Sequence, residues 1–229
     1  MTDCIWKDVK SMGEQMWKME LSSFENDWKL DEEKGCWYLE QVVYVTKPQS
    51  VDLQSVSIFV PKKYRNAEGS WNWDAACGEY CAKTAPVILE NGIGGYAESH
   101  AKKIEDLKAD AIGFLKEGMV YVSPGTRGKQ SKDADGNLIG KAPAGLVDLK
   151  SVVRFLKHNQ GVIPGNMERI VSMGVSAGGA MSSLLGVTGD SENYREFLEE
   201  SGAVMEENDN IFAAQCYCPI IDLEHADMA

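Results

Sequence analysis

Ile170-Val171-Ser172-Met173-Gly174-Val175-Ser176-Ala177-Gly178-Gly179 decides the fold. A β-branched apolar run enters Gly-Val-Ser-Ala-Gly, and a helix-compatible stretch follows to Leu185. The letters G-x-S-x-G alone are a weak pattern. Between a strand and a helix they are the signature of a nucleophile elbow. Such a turn puts Ser176 at the carboxyl end of a strand with its hydroxyl exposed. Gly174 and Gly178 leave room for strand and helix to approach. The helix that follows aims backbone N–H groups and its positive end at the serine. The N–H of Ala177 is the first expected oxyanion donor.

Upstream of the elbow, strands and helices alternate. Val87-Ile88-Leu89 is a short continuous apolar run, the pattern of a strand buried on both faces. A helix is expected next, with Ile104, Leu107, Ala111 and Leu115 on one side and His100 at its start. Met119–Val122 is the next strand. Pro143 opens a second helix that places Leu146, Leu149, Val153 and Leu156 at 3-4-3 spacing, with His158 in its last turn. After the elbow helix, residues 190–201 read as a short helix and 211–218 as a strand.

Before this alternation, residues 36–46 and 51–60 read as two strands joined through Lys47-Pro48-Gln49-Ser50, a hairpin. Residues 62–84 read as a loop-rich insertion whose aromatic residues pack onto the body. Residues 1–34 place Trp6, Val9, Met12, Met16 and Met19 at helical spacing. They are expected to form a helical extension, with the main domain at 35–229. The fold class expected is α/β: a three-layer sandwich with a mainly parallel sheet, an N-terminal antiparallel hairpin and helices on both faces.

Composition narrows the function. The net charge of -12 argues against nucleic acid and against an anionic membrane surface. No apolar run has the length of a membrane span, and the first residues carry no signal-peptide pattern, so a cytoplasmic location is expected. The six cysteines are read as free thiols, because neither the Cys77/Cys81 nor the Cys216/Cys218 spacing matches a zinc knuckle. No metal is expected.

The second oxyanion donor is expected from the glycine-rich loop Asn91-Gly92-Ile93-Gly94-Gly95-Tyr96, through the N–H groups of Ile93 and Gly94. Asn91 stands where a histidine leads the HGGG form of such a loop. Histidines are scarce. His225 is the one histidine after Ser176, with Asp222 and Asp227 beside it, and is the in-chain candidate for the base. Arg127 reads as a residue that pins its loop, and Asp148 as the partner of Lys150 or Arg154 on its helix.

Residues 174–189 resemble the tannase and feruloyl-esterase-like branch of the α/β-hydrolases. Residues 91–96, Ser123-Pro124-Gly125-Thr126-Arg127-Gly128, residues 141–150 and residues 218–227 resemble it in the same order. The similarity covers roughly residues 36–229. It implies an α/β-hydrolase-like fold and a serine esterase that acts, without cofactor, on esters of aromatic acids such as gallate. It carries over Ser176 and the oxyanion loop. It also implies that the catalytic acid and histidine follow beyond residue 229. This chain would then be a front half, inactive alone and completed by a C-terminal part, by a separate chain or by oligomerisation. Two other readings stand beside it: a non-catalytic binding or assembly module built on a hydrolase, and a hydrolase of acylated peptides or sugars.

Overall fold

The strand that enters the elbow lies next to the edge of a seven-stranded sheet. The computed structural model describes residues 17–66, 68–220 and 222. In chain order the strands are β1 (Lys29–Asp31), β2 (Cys36–Val43), β3 (Ser55–Pro61), β4 (Ala76–Cys77), β5 (Tyr80–Cys81), β6 (Val87–Asn91), β7 (Val120–Pro124), β8 (Ile170–Val175) and β9 (Ala213–Tyr217). The main sheet runs β1-β2-β3-β7-β6-β8-β9, and β4 and β5 form a separate hairpin. Pairing is antiparallel from β1 to β7 and parallel from β7 through β6 and β8 to β9.

Among the described residues, four α-helices flank the sheet: α1 (Ala109–Lys116), α2 (Ala144–His158), α3 (Ala177–Val187) and α4 (Arg195–Ser201). Val87 and Leu89 pack with Leu149, Val153 and Leu156 of α2 and with Met181 and Leu185 of α3. Ile88 points the other way and joins Tyr121, Phe59, Ala111 and Leu115 beneath α1. A strand covered on both faces has no polar side to alternate with, which is why β6 reads as an unbroken apolar run. The result is the expected three-layer α/β arrangement.

The helix α2 is buried almost all round, charged residues included. Lys150 donates to Asp209 Oδ1 and to the Thr188 carbonyl, both at 2.6 Å. Arg154 Nε donates to Asp209 Oδ2 at 2.8 Å. Asp148 does not pair with Lys150 or Arg154, as its place on the helix had implied. It turns into the core and receives Arg127, through Nη2 at 2.8 Å and the backbone N–H at 2.8 Å. Burial pushes the Asp148 carboxyl above the usual carboxylate range, and the guanidinium pulls it back.

Two local expectations give way to tertiary contacts. The crossover helix starts only at Ala109, with a single 3₁₀ turn at Ile104–Asp106 before it. Residues 99–103 are held extended because Ser99 and Thr126 exchange backbone hydrogen bonds at 2.8 and 3.0 Å and Lys102 N–H reaches Ser123 Oγ. His100 therefore lies in a loop, with Nδ1 3.8 Å from Asp52, and starts no helix. In the N-terminal segment, Leu21–Phe24 is a 3₁₀ turn and Lys29–Asp31 is a sheet strand, where helix had been expected. Asn159 at the end of α2 holds this segment, accepting from Leu21 N–H at 2.7 Å and donating to the Met19 carbonyl at 2.9 Å. Trp6, Val9, Met12 and Met16 of the expected stripe lie outside the described residues.

Candidate active site

Ser176 sits between the end of β8 and the first residue of α3, with φ 56° and ψ −119°. A non-glycine residue at positive φ is strained by about 1–3 kcal/mol and persists only where its surroundings hold it. Two hydrogen bonds do so. Ser176 N–H donates to the Tyr217 carbonyl at 3.0 Å, and the Ser176 carbonyl accepts from Ala180 N–H at 3.0 Å.

The glycines around the serine are there for space. A Cβ on Gly174 would lie 2.4 Å from the Gly178 carbonyl, and one on Gly178 would lie 2.7 Å from the Asn91 carbonyl. A Cβ on Gly179 would meet the Tyr217 carbonyl at 2.7 Å. Strand, elbow helix and the 91–94 loop are thus in backbone contact. The parallel register carries this through, pairing Asn91 with Gly174 and Val175 with Tyr217. Sequence reasoning picked out Gly174 and Gly178. It missed Gly179 and Tyr217, whose parts depend on β9 lying beside β8.

Ala177 is the first residue of α3 and is fully buried, so its N–H is one of the helix donors with no partner in the helix itself. Ile93 and Gly94 differ. Ile93 N–H donates to the Asn91 side-chain carbonyl at 3.3 Å, in a buried contact. Ile93 N–H is thus already engaged in this structure. Gly94 is exposed and, among the described residues, its N–H has no partner. The carboxamide of Asn91 also lies against the first turn of α3, with Oδ1 3.6 Å from where a Gly178 Cβ would stand.

A cleft of about 710 Å³ opens at this end of the sheet, with Asn91, Gly92 and Gly94 on one wall and Gly174, Val175 and Tyr217 on the other. Glu90 at its border is neutralised by Lys102, 2.6 Å away, and accepts from the Tyr121 hydroxyl. Burial first, and Glu90 second, push that hydroxyl far above its ordinary value, so it stays a donor. Behind the loop lies an apolar cavity of about 450 Å³, between Ile93 and Tyr96 on one side and Leu146, Met181 and Leu184 on the other.

Of the remaining sequence-chosen residues, His100, His158 and Arg127 are engaged elsewhere. His158 bonds Glu20 at 2.6 Å, and His100 faces Asp52, so neither engages Ser176. His225 and Asp227 fall outside the described residues, and Asp222 is exposed. Arg127 pins its loop, as expected, through Asp148, Gln49 and the Ile139 carbonyl.

Comparison with known proteins fits this geometry. The BD-FAE family model matches residues 79–226, which span β6, the 91–94 loop, the elbow and β9. The chain belongs to the BD-FAE family. Among solved structures it is similar to the tannase of Fusobacterium nucleatum, with 40% identity and a TM-score of 0.76 over 84% of this chain and 39% of that one. The tannin acyl hydrolase of Lactobacillus plantarum gives 36% identity and a TM-score of 0.76, over 84% of this chain and 41% of that one. A tannin acyl hydrolase in complex with ethyl gallate gives 38% identity and a TM-score of 0.75, over 84% of this chain and 42% of that one. This BD-FAE chain thus spans about two fifths of the tannases it matches. No curated protein matches it. Among the described residues, no helix is long and apolar enough to cross a membrane.

Proposed function

We propose that this BD-FAE chain is the nucleophile-bearing part of a serine carboxylic-ester hydrolase. Family and tannase likeness support ester hydrolysis in general. The specific reading is that Ser176 attacks the ester carbonyl and forms an acyl-enzyme, while the N–H groups of Ala177 and Gly94 hold the tetrahedral oxygen. The observation that carries it is the strained Ser176, held at the start of α3 beside a loop whose Gly94 N–H has no partner among the described residues. Positive φ there turns the hydroxyl out of the strand and over the helix N-terminus, where developing negative charge is stabilised.

The ester class proposed is that of small aromatic acids, since a similar tannin acyl hydrolase was solved with ethyl gallate. The acid and base are proposed to come from sequence beyond these 229 residues or from a second chain, which fits the two-fifths coverage of solved tannases. No cofactor is proposed.

Methyl gallate hydrolysis tests the proposal. The chain is assayed alone and after mixing with the remaining C-terminal part of a tannase. Activity that appears on mixing and is lost in Ser176→Ala supports it. A Ser176→Ala chain that complements as well as the parent refutes it.

A second reading, a non-catalytic assembly module, is favoured by the edge of β9, which pairs with no strand among the described residues. Most of that strand is exposed; Phe212 just before it and Tyr217 at its end are 66% and 47% exposed. An uncovered edge invites pairing with another chain. A chain that remains a monodisperse monomer and recovers no partner contradicts this reading.

A further inference from the structure

Asn91 ends β6 and is 4% exposed. Its carboxamide is half used: Oδ1 accepts Ile93 N–H at 3.3 Å, while Nδ2 is buried with no partner among the described residues. A buried amide with one unpaired end costs stability, so an unpaired group at this place calls for a reason. Three apolar residues of the same strand, Val87, Ile88 and Leu89, pack into the core. A further apolar residue would be simpler here if packing were all that mattered.

We propose that Asn91 is a positioning residue of the oxyanion site. By accepting Ile93 N–H it fixes the loop so that Gly94 N–H is the group left open toward the elbow. This rests on the reading of Ser176 as the nucleophile.

Asparagine suits the role because it accepts without charge. Leucine would fill the space but strand Ile93 N–H. Aspartate would hold Ile93 N–H equally well, but would bury a negative charge where the reaction develops one. The neutral carboxamide, whose Oδ1 lies against the first turn of α3, adds no charge there.

Two measurements on the full chain test this. In amide hydrogen exchange by NMR, Ile93 is protected and Gly94 is not. Asn91→Ala exposes Ile93, and Asn91→Asp keeps it protected. In labelling of Ser176 by a fluorophosphonate at pH 8, after mixing with the C-terminal part of a tannase, both variants slow by about a hundredfold, the size of effect known for loss of one oxyanion donor. The variants then separate with pH. A buried carboxyl is neutral in acid, so the rate of Asn91→Asp relative to the parent rises as pH falls. The relative rate of Asn91→Ala stays flat.

Ile93 exchanging as fast as Gly94 in the parent overturns the proposal, as does Asn91→Ala taking label at the parent rate. A parent that takes no label after that mixing, with the exchange pattern intact, refutes Ser176 as the nucleophile and leaves Asn91 as the residue that holds Ile93.

Discussion

Ser176 N–H donates to the Tyr217 carbonyl at 3.0 Å, so the strained elbow is fastened to the strand that, among the described residues, ends the sheet. The bond extends the β8–β9 ladder one residue into the turn, where Val175 already pairs with Tyr217. The elbow therefore depends on β9 as well as on α3.

Relief of the strain is measurable. Ser176 has φ 56°, a region glycine enters freely. Ser176→Gly should stabilise the chain by about 1 kcal/mol relative to Ser176→Ala, which keeps the strained backbone. Urea unfolding of the two variants reads the difference. Equal stability would mean the turn relaxes once the hydroxyl is gone.

Glycines in the elbow and in α1 should respond oppositely. Gly178→Ala drives a methyl to 2.7 Å from the Asn91 carbonyl, whereas a methyl on Gly113 of α1 meets nothing within 4 Å. Gly178→Ala should cost about 1–3 kcal/mol through overpacking. Gly113→Ala should stabilise by about 0.4–1 kcal/mol through reduced freedom of the unfolded chain. Thermal melts of both variants check the two signs.

The Arg127–Asp148 pair is expected to be costly to break. Their side chains are 8% and 0% exposed, and Gln54 also donates to Asp148. Asp148→Ala leaves a buried guanidinium without its anion, which should cost about 3–5 kcal/mol. A loss below 1 kcal/mol in urea unfolding would show that water reaches the site.

Thiol reactivity should follow environment. Burial first, and the Asp31 charge second, push the Cys36 thiol up to about 12, while the Thr84 hydrogen bond lowers that of exposed-side Cys81. Only the thiolate reacts, so iodoacetamide at pH 8 should modify Cys81 well before Cys36. Peptide mapping over time checks the order, and early loss of Cys36 would mean β2 opens readily.

The elbow was legible in the sequence because its requirements are local: a β-branched run, tight glycines and a helix, all within residues 170–187. The apolar run of β6 and the 3-4-3 face of α2 were legible for the same reason. What could not be read depends on residues far apart in the chain. Asp148 meets Arg127, 21 positions earlier, and Arg154 meets Asp209, 55 positions later. The strand β1 has only three residues and gains its identity from pairing with β2. Asn91 was noticed only as standing where a histidine leads the HGGG form, since nothing in the letters tells which loop N–H its side chain holds.

The central claim is that Ser176 is a reactive nucleophile set against an oxyanion site. Incubation with a fluorophosphonate, followed by peptide mass spectrometry, tests it most directly. The chain is treated alone and after mixing with the C-terminal part of a tannase. The account predicts little or no adduct alone and an adduct on Ser176 after mixing, with none on Ser176→Ala. Labelling of the chain alone would move the base within these residues and make His225 its source. No adduct on Ser176 in either sample would contradict the account.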